Sequence, residues 1–174
     1  MATRQEILVP TLIESWLKDV GLSVTPRCGD AVNNWNLEFI VTGPNPLILN
    51  VVNPKQVPRA VMLVCGMLVA PEQISSYNAL DEDARKDFWR ALRATMNREY
   101  VEFQVEGQAV IECPKAVRVT AVRFDDGLTL DSFARTISSV CKACADVVAH
   151  FTDRLGELRP SAGSEFAFKK GPVQ

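Results

Sequence analysis

Residues 35–54 read Trp35-Asn36-Leu37-Glu38-Phe39-Ile40-Val41-Thr42-Gly43-Pro44-Asn45-Pro46-Leu47-Ile48-Leu49-Asn50-Val51-Val52-Asn53-Pro54. Trp35, Leu37, Phe39 and Val41 alternate with Asn36, Glu38, Ile40 and Thr42, the period-two pattern of a strand with one face buried. Gly43-Pro44-Asn45-Pro46 must be a turn, because two prolines and a glycine cannot continue a ladder. Beyond it, Leu47 to Asn53 and Arg59 to Val69 are more uniformly apolar and are separated by Pro54 and Pro58. Runs of that kind predict strands covered on both faces. Upstream, Leu22 to Arg27 is a weaker extended segment. The Gly29-Asp30 and Asn33-Asn34 stretch that follows carries turn chemistry, so a hairpin is expected.

On either side the apolar spacing changes to three or four. Val9, Leu12, Ile13, Trp16, Leu17 and Val20 predict one helix face, with Glu14 and Lys18 pairing on the other. Pro10 removes a backbone donor and is expected to start or bend that helix, and Gly21 to stop it. Asp81 is a good N-cap for a second helix through Phe88, Trp89, Leu92 and Met96 to Arg98. Tyr100 to Glu106 and Ala116 to Phe124 alternate again and read as antiparallel neighbours, with cross-strand Glu–Arg pairs on their polar side. Asp125-Asp126-Gly127 turns into the longest helix, from about Leu130 to Leu158. Its predicted stripe is Phe133, Ile137, Val140, Cys141, Cys144, Val148, Phe151 and Leu155.

These segments define an α+β class: an antiparallel sheet of five to six strands with helices at the N-terminus, middle and C-terminus, in the order α-β(3-4)-α-β(2)-α. The 174 residues, 47% hydrophobic and 23% charged, suit one domain over residues 1–158, followed by a flexible tail over residues 159–174 in which Phe166 and Phe168 are the apolar exceptions. A net charge of −2, from 19 Lys+Arg against 21 Asp+Glu, gives no overall field toward nucleic acid or anionic lipid. The longest apolar stretch, Val57 to Ala70, contains Pro58 and Arg59 and is too short to span a bilayer. With no signal-like N-terminus and an odd, scattered set of cysteines, Cys28, Cys65, Cys113, Cys141 and Cys144, a cytoplasmic protein with reduced thiols is expected.

Motifs that carry chemistry are scarce. Cys141-Lys142-Ala143-Cys144 has the spacing of a redox pair or half a zinc site, but it lies about three turns into a helix, on its apolar stripe, without a second ligand pair. Core packing is the favoured reading, and a thiol redox or metal-binding protein using Cys141 and Cys144 is the alternative. His150, the sole histidine, has Asp146 and Arg154 one turn either side and no nucleophile on a strand-to-helix elbow. Glu82-Asp83 and Asp125-Asp126 stand beside helix starts, where capping accounts for them. Arg85, Lys86, Arg90, Arg93 and Arg98 form a basic flank read as a solvated helix face. Neither GxGxxG nor GxxxxGK[ST] occurs. No cofactor and no enzymatic activity are expected.

The element order resembles the fold of the type III secretion chaperones. Trp35-Asn36-Leu37-Glu38-Phe39, Leu47-Ile48-Leu49-Asn50-Val51-Val52-Asn53-Pro54-Lys55, Phe88-Trp89-Arg90-Ala91-Leu92, Asn97-Arg98-Glu99-Tyr100-Val101-Glu102-Phe103 and Asp125-Asp126-Gly127-Leu128-Thr129 are similar to passages of an uncharacterised prokaryotic family with that fold, over residues 4 to 157. The resemblance implies a homodimer that shields or presents a partner polypeptide.

The residues point the same way by a separate route. If Trp35, Leu37, Phe39, Leu49 and Val51 lie under the helices, Ile40, Ile48 and Val52 face away, as does one alternating set from Met62, Val64 and Leu68. Three helices are too few to cover both faces, and exposed patches of that size mark interaction surfaces. The expected partner-binding residues are therefore Ile40, Ile48, Val52, Met62 and Val64. The expected function is a non-catalytic protein-binding or chaperone-like module, a homodimer that takes a polypeptide through an apolar sheet face or edge.

Overall fold

The computed structural model describes residues 4–43, 46–97 and 100–156, with side chains for all but residues 4–9 and Arg27. The order is α1 (Arg4–Asp19), β1 (Val24–Cys28), β2 (Asn33–Val41), β3 (Leu47–Pro54), β4 (Ala60–Leu68), α2 (Pro71–Asn78), α3 (Glu82–Met96), β5 (Glu102–Glu106), β6 (Ala116–Phe124) and α4 (Leu130–Leu155). This is the expected α+β class, with one helix more than the spacing predicted. The predicted tail lies outside the described residues, as does Arg98 at the expected end of α3.

The six strands form one antiparallel sheet in the order β1-β2-β3-β4-β6-β5. The first four follow one another as hairpins, and β6 then inserts beside β4, leaving β5 at the far edge. The other edge, β1, carries Pro26, a residue suited to an edge because it cannot donate to a further strand. Asp30 shapes the β1–β2 turn: its Oδ1 accepts the N–H groups of Val32 and Asn33 at 2.8 and 2.7 Å. Gly29 is obligatory there, since a Cβ would stand 2.2 Å from the Asn34 carbonyl oxygen. At the β3–β4 turn the buried Asn53 side chain donates to the Pro58 and Ala60 carbonyls and accepts from Asn34.

Odd-numbered positions of the central strands, among them Leu37, Phe39, Leu49, Val51, Leu63, Cys65 and Val119, join one cluster with Ile13 and Leu17 of α1, Phe88, Trp89 and Leu92 of α3 and Phe133, Val140, Cys144 and Val147 of α4. Helix α1 is longer than expected and passes through Pro10. Only one hydrogen bond is forfeited there, and burial of Ile13 and Leu17 offsets that loss. Its apolar stripe is narrower than read: Leu12 and Val20 are 46% and 56% exposed. Gly21, at φ +81°, ends it as expected, with Leu22 N–H donating to the Leu17 carbonyl and Gly21 N–H to that of Lys18.

The helix missed in sequence, α2, opens with Pro71 in its first turn and buries Gln73 and Tyr77. In α4 the buried stripe includes Thr136, Ala143, Val147 and His150, while Ile137, Cys141 and Val148 are half-buried at its border. Thr129 caps α4 through a reciprocal capping box with Ser132. Asp81 caps α3 as expected, its Oδ1 accepting from Ala84 N–H at 2.8 Å.

Candidate functional site

The even-numbered positions of the same strands form the sheet's second face. Register aligns Ile40 with Ile48; Asn36, Val52, Met62 and Val122 make another row, and Glu38, Asn50, Val64 and Thr120 a third. Ile40, Ile48, Val52, Met62 and Val64 are thus brought together on one side of three adjacent strands. None of them belongs to, or packs against, the hydrophobic cluster under the helices. Covering of β3 and β4 on both faces, as their uniform apolarity suggested, is not found among the described residues. Among the described residues the helices cover one face; on the other, Ile48 and Met62 are half-buried and Val52 and Thr120 are buried.

Ile40 is 48%, Leu68 60% and Phe124 55% exposed, so the patch runs across β2, β4 and β6. A Cβ added to Gly66, near the C-terminal end of β4, would meet nothing within 4 Å. That gap is open space beside Gly66 on this face. Val122, Phe124 and Gly66 were not singled out by the sequence reading. The period-two pattern running on from Arg118 and Thr120 could have found the first two, but their position beside Met62 depends on β6 inserting next to β4. Val52, at 9% exposure, is the most sheltered of the five expected residues.

Polar groups frame this surface. On its β6 side Arg118 Nη1 donates to Gln104 Oε1 at 3.4 Å, because Gln104, not a glutamate, stands opposite it; Glu102 faces Thr120 and Glu106 faces Ala116. The expected cross-strand Glu–Arg pairing is therefore replaced by Arg–Gln. Glu38 lies on the β2 side. At one end of the face, Gln56, Val57, Pro58, Arg59, Phe124 and Asp126 line a shallow depression of about 350 Å³. Arg59 grips Asp125 there, with Nη2–Oδ1 at 2.8 Å, and that guanidinium holds the Asp125 carboxyl below its ordinary range. Asp125 thus ties the β4 turn to the end of β6; it is Thr129 that caps α4.

The cysteine motif is built differently from a redox pair. Cys144 is buried and its thiol is hydrogen-bonded to Cys65 on β4; that bond and burial keep it protonated far above the usual thiol range. Burial also pushes Cys141 up, and Cys113 up to about 11. A nucleophilic thiol needs the opposite shift. All five cysteines are free, and among the described residues no group of three or more His, Cys, Asp or Glu is placed to hold a metal ion.

His150 is buried between α3 and α4, its ring 4.7 Å from that of Phe88 and hydrogen-bonded to the Phe88 backbone. Burial, then the Arg154 charge, lowers its pKa, and Nε2 has no hydrogen-bond partner. It lines an open depression of about 480 Å³ with Asn97, Asp146, Asp153 and Arg154. Three members of the basic flank are engaged locally: Lys86 pairs with Glu82 and Asp83, Arg90 with Asp87, and Arg85 donates to the Asn78 carbonyl while lying over Tyr77. Among the described residues no helix is long and apolar enough to cross a membrane.

An α+β protein with an antiparallel sheet backed by helices on one face, and with no described helix on the other, is the class these features define. Within that class the chain belongs to a family described as "Uncharacterized conserved protein (DUF2299)", whose profile matches residues 9–151. It is similar to an uncharacterised protein from Methanothermobacter thermautotrophicus, with a TM-score of 0.73 and 25% identity over 84% of this chain and 98% of that one. It also shares its fold with YbjN from E. coli, a proposed transcription regulator, at a TM-score of 0.51 and 13% identity over 84% of this chain and 93% of that one. No curated protein matches it.

Proposed function

We propose that this chain is a non-catalytic protein-binding module, a homodimer whose bare sheet face is closed by a polypeptide, in the first place a second copy of itself. The observation that carries this reading is the apolar face over β2, β3, β4 and β6, with Ile40, Leu68 and Phe124 largely in solvent and open space above Gly66. A soluble protein hides a contiguous surface of this kind against another molecule. The resemblance of the element order to the secretion chaperones, which handle partner polypeptides as dimers, agrees with it. The raised thiol pKa values at Cys141 and Cys144 weigh against the redox alternative.

Dimension also favours a second copy. The four central strands are about 19 Å wide and 30 Å long at the standard strand spacing and rise, or about 600 Å² per copy before side-chain relief. Two such faces reach the lower bound of stable interfaces, about 1,200 Å² in total. The test is light scattering of the wild type and of Ile48→Glu, each with a circular-dichroism spectrum. The wild type should have the mass of two chains, and the variant the mass of one with unchanged helicity. A wild-type monomer at high micromolar concentration, or a variant that keeps the dimer's mass, refutes the proposal.

A further inference from the structure

The bare face has a relief that is complementary to itself. Resting on the proposed self-association, we infer that two copies stack sheet on sheet about a two-fold axis running parallel to the strands between β3 and β4, with Ile48 of each copy seated in the notch over Gly66 of the other. Ile40, Ile48, Gly66 and Arg118 share one row across the sheet, since Ile40 is registered with Ile48 and Gly66 with Arg118, and the β3–β4 pairing extends Ile48 to Gly66.

A two-fold axis parallel to the strands exchanges left and right across the sheet and leaves position along the strands unchanged. It therefore sets β3 of one copy over β4 of the other, and the row containing Ile48 over the same row containing Gly66. Ile48 is an exposed-side knob outside the core cluster, and Gly66 is the one outward position of β4 without a side chain. Each contact occurs twice, as a symmetric interface requires.

Charge selects the same axis. The operation sets β2 over β6 of the second copy, bringing Glu38 toward Arg118. The two lie one row apart, about 7 Å along the strand, within reach of their side chains. It also sets β5, with Glu102 and Glu106, over β1. An axis perpendicular to the strands would instead lay each strand on its own copy. Glu102 and Glu106 would then meet the acidic β5 of the partner, where like charges repel, and Arg118 would lie over β6, whose outward positions offer no carboxylate.

Gly66→Val is the decisive variant. It is harmless to the protomer, because its Cβ meets nothing within 4 Å and Gly66 does not require a left-handed backbone. On the proposed axis it fills both notches, and overpacking should raise the dimer dissociation constant by about tenfold or more. Ile48→Ala combined with Gly66→Val exchanges knob and hole and should recover most of that loss, as read by analytical ultracentrifugation with melting curves to verify folding. A wild-type dimer that Gly66→Val leaves unchanged would overturn the axis while leaving self-association standing. A wild-type monomer would remove both. A double variant no better than Gly66→Val alone would also overturn the knob-and-notch pairing.

Discussion

Removing a single oxygen, in Tyr77→Phe, probes the packing that holds α2, α3 and the β5–β6 connection together. The Tyr77 ring is fully buried and packs edge-on against Phe88 at 5.3 Å, contacts that phenylalanine retains. Its hydroxyl donates to the Val110 carbonyl at 3.0 Å and accepts from Trp89 Nε1 at 2.9 Å. The variant strands a buried indole N–H and a half-buried carbonyl, each costing about 1–3 kcal/mol. The carbonyl can turn toward water and falls at the low end, so the expected loss is about 2–4 kcal/mol. At about 2–4 °C per kcal/mol for a protein of this size, melting should fall by roughly 5–15 °C. Val110 gives a second readout. A β-branched residue at φ 70° is strained by about 1–3 kcal/mol, and the Tyr77 hydroxyl is one of the contacts that holds it. Amide exchange over residues 108–112 should accelerate in the variant. Urea unfolding monitored by circular dichroism supplies the free energy. A change below about 0.5 kcal/mol with an unchanged denaturant slope would refute the claim that this hydroxyl bridges three elements.

Two further outcomes test the chemistry. In the native protein at pH 8, a chromogenic disulfide reagent should modify the exposed Cys28 quickly, whereas Cys65, Cys113 and Cys144 should react only after denaturant is added. Rapid joint modification of Cys141 and Cys144 would reverse their assignment to the core. Stability should also depend on His150. The folded state keeps it neutral with a lowered pKa, while the unfolded chain takes up a proton near the ordinary value of 6.5. The unfolded state then binds more protons, so stability is level above about pH 7.5 and declines as pH falls through 6.5, by at most about 1.4 kcal/mol per pH unit for one proton. His150→Gln should flatten that part of the profile relative to the wild type, and identical slopes would show that His150 is not the source.

The strands were legible because alternation is a local property. Ala116–Phe124 is read to the residue and Leu47–Pro54 to within one, since Pro46 and Pro54 mark the limits of β3. Helix α2 escaped because eight residues give barely two turns of periodicity, and only Tyr77's burial under α3 makes it a stable element. Pro10 does not start the helix, for the opposite reason: the local penalty is overridden by the packing of Ile13 and Leu17. Asp125 looked like a cap because it precedes a helix. Its partner, Arg59, is 66 residues away, a separation that no window of sequence spans.

The face itself divides between the two sources in the same manner. Because side chains alternate along a strand, the sequence alone determined that Ile40, Ile48 and Val52 point away from Leu37, Leu49 and Val51, and that Met62 and Val64 share a side. Only the tertiary structure decided that β6 enters beside β4. That insertion joins Val122 and Phe124 to the patch, and it sets Arg118 beside Gly66 in the row of Ile40 and Ile48, one row from Glu38. Strand order is a competition among long-range pairings of similar local energy, settled by how the helices close over one side of the sheet.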